Sequence, residues 1–344
     1  DTGILADHHL ATVAAGQYIL VAKDRANIVA KYGLDPAIVY GNYGGTLSNA
    51  GEKIRLRDAN YNGADEIRYH EGGNWPSDPD GYGPSLELID PRQDNANPMA
   101  WERSDEAAKA QWTFFSYSGP VATQSDTNEH EIHLHLLGDG QVFVDDLRLY
   151  SGGTDYIPND GFEPGVAGWT FLGNHMQTAR TSEDSHGGAW SMKIVSTGSG
   201  DTGANHVERD STQAIPTNQT YTISFWAKWI AGNNLLVTRC YNNQIPETHR
   251  VPIPGDNGTP GAQNSVFQSN LGPLFSAIRH SPVVPGPADT PVLRARISDA
   301  DGVISATAYY RPDSSGAFSG VAMRDDGAGG DTTAGDGVFA AQIP

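Results

Sequence analysis

At 344 residues, with Lys+Arg 22 against Asp+Glu 41, the chain carries a formal net charge of −19, a surface that repels phosphate backbones and anionic headgroups and argues against nucleic acid as a partner. Its lone cysteine, Cys240, rules out an internal disulfide framework, and no stretch approaches the ~18 apolar residues of a membrane span, so membrane insertion is not expected. Gly 40 and Pro 21 favour short strands joined by tight turns, an all-β chain of two or three domains.

The first residues, DTGILADHHL, do not make a signal peptide, so any export signal is expected upstream or already removed. Residues 17–22, QYILVA, predict a strand. One short helix is predicted near residues 25–32, with Asp24 as N-cap, Ile28 and Tyr32 four apart, and Gly33 at the stop. EKIRLRDANYNGADEIRY then alternates Ile54/Leu56 and Ile67/Tyr69 about DANYNGAD, the pattern of a hairpin. From Gly41 to Pro91, the order of a Gly-rich loop, LSNAGE, the hairpin, a Trp-Pro segment and SLELIDP resembles the bacterial lamin tail domain. The resemblance implies a small Ig-like β-sandwich without catalytic residues, an attachment module of secreted or surface proteins, although the family's opening strands are missing before Asp1.

RSDEAAKAQ, at 103–111, marks a boundary, after which WTFFSYSG, EIHLHLL and QVFVDDLRLY read as three strands. In the second, Ile132, Leu134 and Leu136 share one face and Glu131, His133 and His135 the other. A His-x-His pair of this kind is what cupins use for metal. They also need a Glu about four residues later, where Asp139 and Gly140 stand instead. His133 and His135 are therefore expected on a solvated strand face, and His175, His186 and His206 in long loops are weaker metal candidates.

Beyond SGGTDY come NDGFEPGVAGW, AWSMKIV, TYTISFWAKW and NLLVTRCYNN. In TYTISFWAKW the inward set is Tyr221, Ile223, Phe225, Ala227 and Trp229, and the outward set is Thr222, Ser224, Trp226 and Lys228. These segments resemble jelly-roll carbohydrate-binding modules of the family 4 and 9 type, whose usual order ends with a V-D-D strand. Here the terminal part, Trp112 to Tyr150, comes first and the initial part, Asp155 to Asn243, second. Either two modules have each lost a half, or the segments complete one circularly permuted sandwich. The second arrangement is favoured because half-sandwiches leave unpaired edges and bare apolar faces.

THRVPIPGDNGTPGAQNS is Pro- and Gly-rich, a linker or closing segment, and its GTPGAQNS resembles the terminal signature that follows lamin tail domains, a resemblance that implies a jelly roll inserted before that domain's end. The rest, with alternating Leu293/Ala295/Ile297 and Ile304/Ala306/Ala308, resembles a bacterial Ig-like domain. Asp299 and Asp301 are most simply a hairpin turn, whereas Asp325, Asp326, Asp331 and Asp336 lack EF-hand spacing and are explained by turn chemistry as well as by a cation. The expected organisation is tandem β-sandwiches: a lamin-tail-like domain at 1–105, a jelly roll at 106–255, a linker at 256–284 and an Ig-like domain at 285–344.

In jelly rolls of this kind the Glu of the opening FE pair and an Asp of the V-D-D strand hold a buried structural Ca²⁺. The resemblance implies Glu163 and Asp145 or Asp146 as ligands, and Ca²⁺ as the one cofactor. The chemistry agrees, since a hard cation takes oxygen donors and carboxylates held together without one repel. For a glycan, Trp226 with Arg239, Tyr241 and Asn243 is the best set of a stacking ring and hydrogen-bonding side chains. Glu129, Glu131, Glu183 and Asp184 are the carboxylates a glycosidase would draw on, but G-x-S-x-G, H-E-x-x-H and P-loop motifs are all missing.

The chain is accordingly expected to be a non-catalytic adhesion or carbohydrate-binding module of a bacterial surface or secreted protein, with a polysaccharide or cell-surface glycan and neighbouring domains or chains as partners. The alternatives are an architectural spacer or self-assembling filament subunit, and a polysaccharide hydrolase with an inter-domain site.

Overall fold

The computed structural model describes residues 13–58, 60–122, 131–157, 161–313 and 316–344. In the N-terminal part β1 (Leu20–Val21) precedes α1 (Arg25–Tyr32), the one α-helix among the described residues. Asp24 caps α1 by accepting a hydrogen bond from Asn27 N at 2.9 Å, and Gly33 closes it at φ 63°, where a side chain would be strained. β2 (Val39–Tyr40) pairs in parallel with β1. The expected hairpin forms from β3 (Glu52–Arg57) and β4 (Gly63–Tyr69) with Ile54 opposite Ile67, and the Asp58 carboxylate accepts from Asn60 N and Asn62 N in its turn. β5 (Leu86–Leu88) pairs with β6 (Trp101–Arg103). These strands stay in separate two-stranded sheets.

What packs against them is the stretch expected as a linker. Buried Glu87 accepts from Thr259 Oγ1 at 2.6 Å and from Ser265 N and Oγ at 2.7 Å, and buried Glu106 accepts from Gly258 N at 2.6 Å. Gln268 N bonds to Ile89 O, and Asn264 to Leu88 O, both at 2.9 Å. Pro- and Gly-rich sequence lacks a strand's period and so reads as a spacer. Here two buried carboxylates, which need hydrogen-bond partners to be tolerated, hold 256–268 in place.

The strands that follow are β7 (Thr113–Val121), β8 (Glu131–Leu136), β9 (Gly140–Ser151), β10 (Thr154–Asp155), β11 (Trp169–Phe171), β12 (Ala179–Thr181), β13 (Ser191–Ser196), β14 (Val207–Asp210), β15 (Gln219–Gly232), β16 (Leu235–Cys240) and β17 (Gln244–Arg250). They build two antiparallel sheets, one ordered β12-β13-β9-β15-β7 with β10 on β9, the other β11-β14-β8-β16-β17. β9 lies between β13 and β15, and β8 between β14 and β16. Strands before Ser151 and after Thr154 thus interleave in both sheets, forming one sandwich whose order along the chain begins in its middle.

The core lies between the sheets. Val142, Val144, Leu147 and Leu149 of β9 and the inward set of β15 meet Ile132, Leu134 and Leu136 of β8, Val207 of β14 and Leu236 of β16. Each large apolar side chain fully buried contributes ~1.5–3 kcal/mol, so neither half sustains this core alone.

After the sandwich come β18 (Leu274–Ser281), β19 (Val292–Ser298), β20 (Ala306–Tyr310), β21 (Ser319–Met323) and β22 (Val338–Gln342). β18, β19 and β22 form one sheet, and β20 and β21 another. β18 occupies part of the span expected as linker. Ala295, Ile297 and Ala308 are buried as their alternation predicts, but Ile304 lies fully exposed ahead of β20. Among the described residues no helix is long and apolar enough to cross a membrane.

Because β8 and β9 sit at interior positions of their sheets, the fragment 154–255 is expected to lack a cooperative thermal transition by circular dichroism. A transition at the full chain's midpoint would show that the later strands fold without them.

Candidate functional site

Outside the core, Thr222, Ser224, Trp226 and Lys228 of β15 stand on the outer face of the larger sheet, opposite the buried set that their alternation predicts. Flanking strands extend that face. Phe114, Ser116 and Ser118 of β7 lie beside Trp226, Ser224 and Thr222, while Arg148 and Tyr150 of β9 lie beside Ser224 and Thr222. The hydroxyls of Ser224 and Thr154 line a trough that also takes in the rings of Trp226, Phe114 and Tyr150. Phe114 and Tyr150 are 52% and 40% exposed, and the Phe114 and Trp226 ring centroids are 5.3 Å apart. The trough holds about 510 Å³ and is bordered by the Arg148–Asp155 ion pair at 2.8 Å. Ring faces beside hydroxyls and a guanidinium suit a sugar ring, which offers C–H groups to the first and O–H groups to the others.

The trough's upper margin is set by a bulge. Ser224 opposes Arg148 but Trp226 opposes Asp145, so β9 carries one residue too many between them, and Asp146 takes φ 50°. Asp145, cross-strand to Trp226, is thereby on the outer face, and the loop 184–190 covers it completely. His186 N and Gly187 N donate to Asp145 Oδ2 at 2.8 and 3.0 Å, and Asp146 N donates to Oδ1 at 2.8 Å. Burial pushes the Asp145 carboxyl above its ordinary value, against these bonds to its anion.

The same loop is held at three more points. His186 Nδ1 lies 2.7 Å from Asp146 Oδ2, and the His186 ring stacks on Trp226 at 3.8 Å and 12°. Glu163 Oε1 accepts from Ala189 N and Trp190 N at 2.8 and 3.0 Å. A Cβ at Gly188, φ 65°, would fall 2.1 Å from that oxygen, so the loop requires glycine there. At its start Asp184 pairs with buried Lys228 and accepts from Trp112 Nε1 at 3.2 Å.

Residues 154–244 match the family model of a carbohydrate binding domain of the 4 and 9 type. No curated protein and no solved structure matches the chain. The match begins just after β9, and the sandwich that holds the matched residues is completed by β7, β8 and β9, which precede them in the chain. Two of its trough's three rings, Phe114 and Tyr150, come from those preceding strands.

The structure divides the residues expected to bind sugar. Trp226 lies in the larger sheet, whereas Arg239 belongs to β16 in the other sheet, with Tyr241 and Asn243 just after it. Arg239 Nη2 donates to Thr202 O at 3.0 Å, the Tyr241 ring is 6.3 Å from that of His133, and Asn243 is exposed at φ 59°. Neighbouring strands in sequence are here neighbours across the sandwich, because the chain changes sheets between β15 and β16. The partners of Trp226 are instead Phe114, Tyr150, Arg148 and His186.

Asp145, Asp146 and Glu163 meet around the loop 184–190, and Gly161, Gly187 and Gly188 pack against them. Their donor atoms are all hard oxygens, and four of the loop's backbone N–H groups occupy lone pairs of Asp145 and Glu163. Of the carboxylates weighed for hydrolysis, Glu131 is hydrogen-bonded to His133, Glu183 pairs with Lys193 and Asp184 with Lys228; Glu129 lies outside the described residues.

His133 and His135 are buried rather than solvated, under the loop that carries Asn205 and His206. Burial pushes His133 to about 4 and His135 to about 3. His175, also held to about 4 by burial, accepts from Leu136 N at 2.9 Å. The acidic turn near the C-terminus brings Asp325, Asp331 and Asp336 together, but Asp325 accepts from Gly335 N, Asp336 N and Gly337 N, as turn chemistry requires.

Burial alone would push the Asp184 carboxyl up. The Lys228 ammonium and Trp112 N–H outweigh it and hold the group below its ordinary 3.8. A depressed folded value contributes stability above the unfolded one, lost as pH falls through the folded value. Lys228→Met is expected to cost about 1–3 kcal/mol near pH 7, the pair being partly exposed, and less in strong acid. Urea unfolding at both pH values measures this, and an equal loss at each would remove the pair's role.

Proposed function

We propose that this chain is a non-catalytic, glycan-binding module of an extracellular or cell-surface bacterial protein, and that the trough between Trp226, Phe114 and Tyr150 receives the sugar. The carrying observation is the pair of exposed rings, Phe114 and Tyr150, fixed on a rigid sheet about a trough lined by hydroxyls. The match of 154–244 to a carbohydrate binding domain supports the same ligand class. Strands hold the rings at fixed separation, so little conformational entropy is lost on binding.

Titrating soluble polysaccharides against the full chain is expected to find a binder whose affinity falls about tenfold or more, ~1.4 kcal/mol, in Tyr150→Ala and Phe114→Ala. Arg239→Ala, on the other sheet, should leave that affinity unchanged. Binding indifferent to both ring variants would move the ligand elsewhere, and release of reducing sugar would make the protein a hydrolase.

Within the module, Asp145, Asp146 and Glu163 would supply oxygen donors to a structural Ca²⁺ that ties β9 and the 161–163 turn to the loop 184–190. A ligand that binds only the folded state stabilises it by mass action. Calcium added to chelator-treated protein is expected to raise the thermal midpoint by several degrees in the wild type and not in Glu163→Gln. An unchanged wild-type midpoint would remove the ion.

A further inference from the structure

On the outer face of the smaller sheet, three imidazoles meet. His133 and His135 are two apart on β8 and so share a face, and His206 immediately precedes β14, whose Val207 opposes Leu134. They are 4%, 1% and 4% exposed. The His133 and His206 rings stack at 4.2 Å, and His135 is 5.2 Å from His206. One ring nitrogen from each lies within 4.8 Å of the others.

Each ring has one nitrogen engaged and one without a partner. His133 Nε2 is 2.9 Å from Glu131 Oε2, His206 Nε2 is 2.8 Å from Glu208 Oε2, and His135 Nδ1 is 2.8 Å from Asn205 O. Carboxylates and a carbonyl only accept, so these nitrogens carry the protons. Lone pairs then remain on His133 Nδ1, His135 Nε2 and His206 Nδ1, and these are the imidazole nitrogens among the buried side-chain atoms of the described residues that have no hydrogen-bond partner. Two other buried histidines behave differently. His175 uses both nitrogens, toward Leu136 N and Asn174 Oδ1, and His249 Nε2 meets Thr238 Oγ1 at 3.0 Å.

A buried polar atom left unpaired is destabilising because its desolvation goes uncompensated, and three such atoms in one place, all acceptors, call for a shared acid. We propose that His133, His135 and His206 bind a divalent zinc-like transition metal through Nδ1, Nε2 and Nδ1. Three imidazole nitrogens select such a metal over calcium. Glu131, Glu208 and the Asn205 carbonyl orient the rings by holding the opposite N–H groups, the usual support of metal-bound histidines. The two carboxylates also offset the Arg239 guanidinium, which stands beside His133 on β16. Three protein ligands leave one tetrahedral position for water or another donor. The site is on the opposite face of the sandwich from the Trp226 trough and does not depend on glycan binding.

The test uses the full chain, stripped with chelator and titrated with Zn²⁺ in excess Ca²⁺, so that oxygen-donor sites are already occupied. One equivalent of zinc is expected, and Co²⁺ in its place should give the intense visible bands of a four-coordinate ion. His135→Gln and His206→Gln should each lose binding at least tenfold, and Glu208→Gln should weaken it about tenfold with the fold intact by circular dichroism. Wild-type protein that takes up no zinc overturns the proposal whether or not the variants fold. So does zinc bound with unchanged affinity by folded His206→Gln.

Discussion

β9 hydrogen-bonds to β13 along one side and to β15 along the other, and β8 is enclosed in the same way by β14 and β16. Both strands arrive early in the chain, and most of their partners come after residue 190. This long-range pairing constrains everything else in the sandwich. It completes both ladders, encloses the core between the two sheets, and delivers the V-D-D segment to the interior of the larger sheet.

From that placement the site follows. A bulge in the middle of β9 turns two successive carboxylates toward the outer face, and the loop 184–190 closes over them because their oxygens satisfy its N–H groups. His186, fixed by Asp146, braces one face of Trp226, and beyond the bulge β9 resumes its alternation and raises Arg148 and Tyr150. Ring, guanidinium and hydroxyls therefore share a scaffold of main-chain hydrogen bonds. Loop conformation matters only at the upper margin.

Much of this was legible in the residues. Period-two alternation separates the two faces of β15 without error, and Asp24 and Gly33 mark the helix ends. Asp145, Asp146 and Glu163 each bond to the loop 184–190, while the ion that the resemblance implies for them is a matter for calcium titration. What could not be read was which sheet each strand joins. β15 and β16 adjoin in sequence and part in space, which broke the expected set of Trp226 with Arg239, Tyr241 and Asn243. The bulge hid Tyr150, because one extra residue reverses the apparent facing of all that follows. His133 and His135 share the face that alternation predicts but are buried there, since nothing local announces that the chain near residue 206 folds down over them.

The stretch 256–268 runs back onto Glu87 and Glu106, so the chain leaves the N-terminal region before β7 and rejoins it soon after β17. The sandwich is in mechanical terms a side branch. Tension applied between residues before Leu86 and residues after Gln268 loads the carboxylate-held contact first, and the ladders of the sandwich bear load only after that contact yields. A module on such a branch can be displaced or strained without the pull passing through its own core.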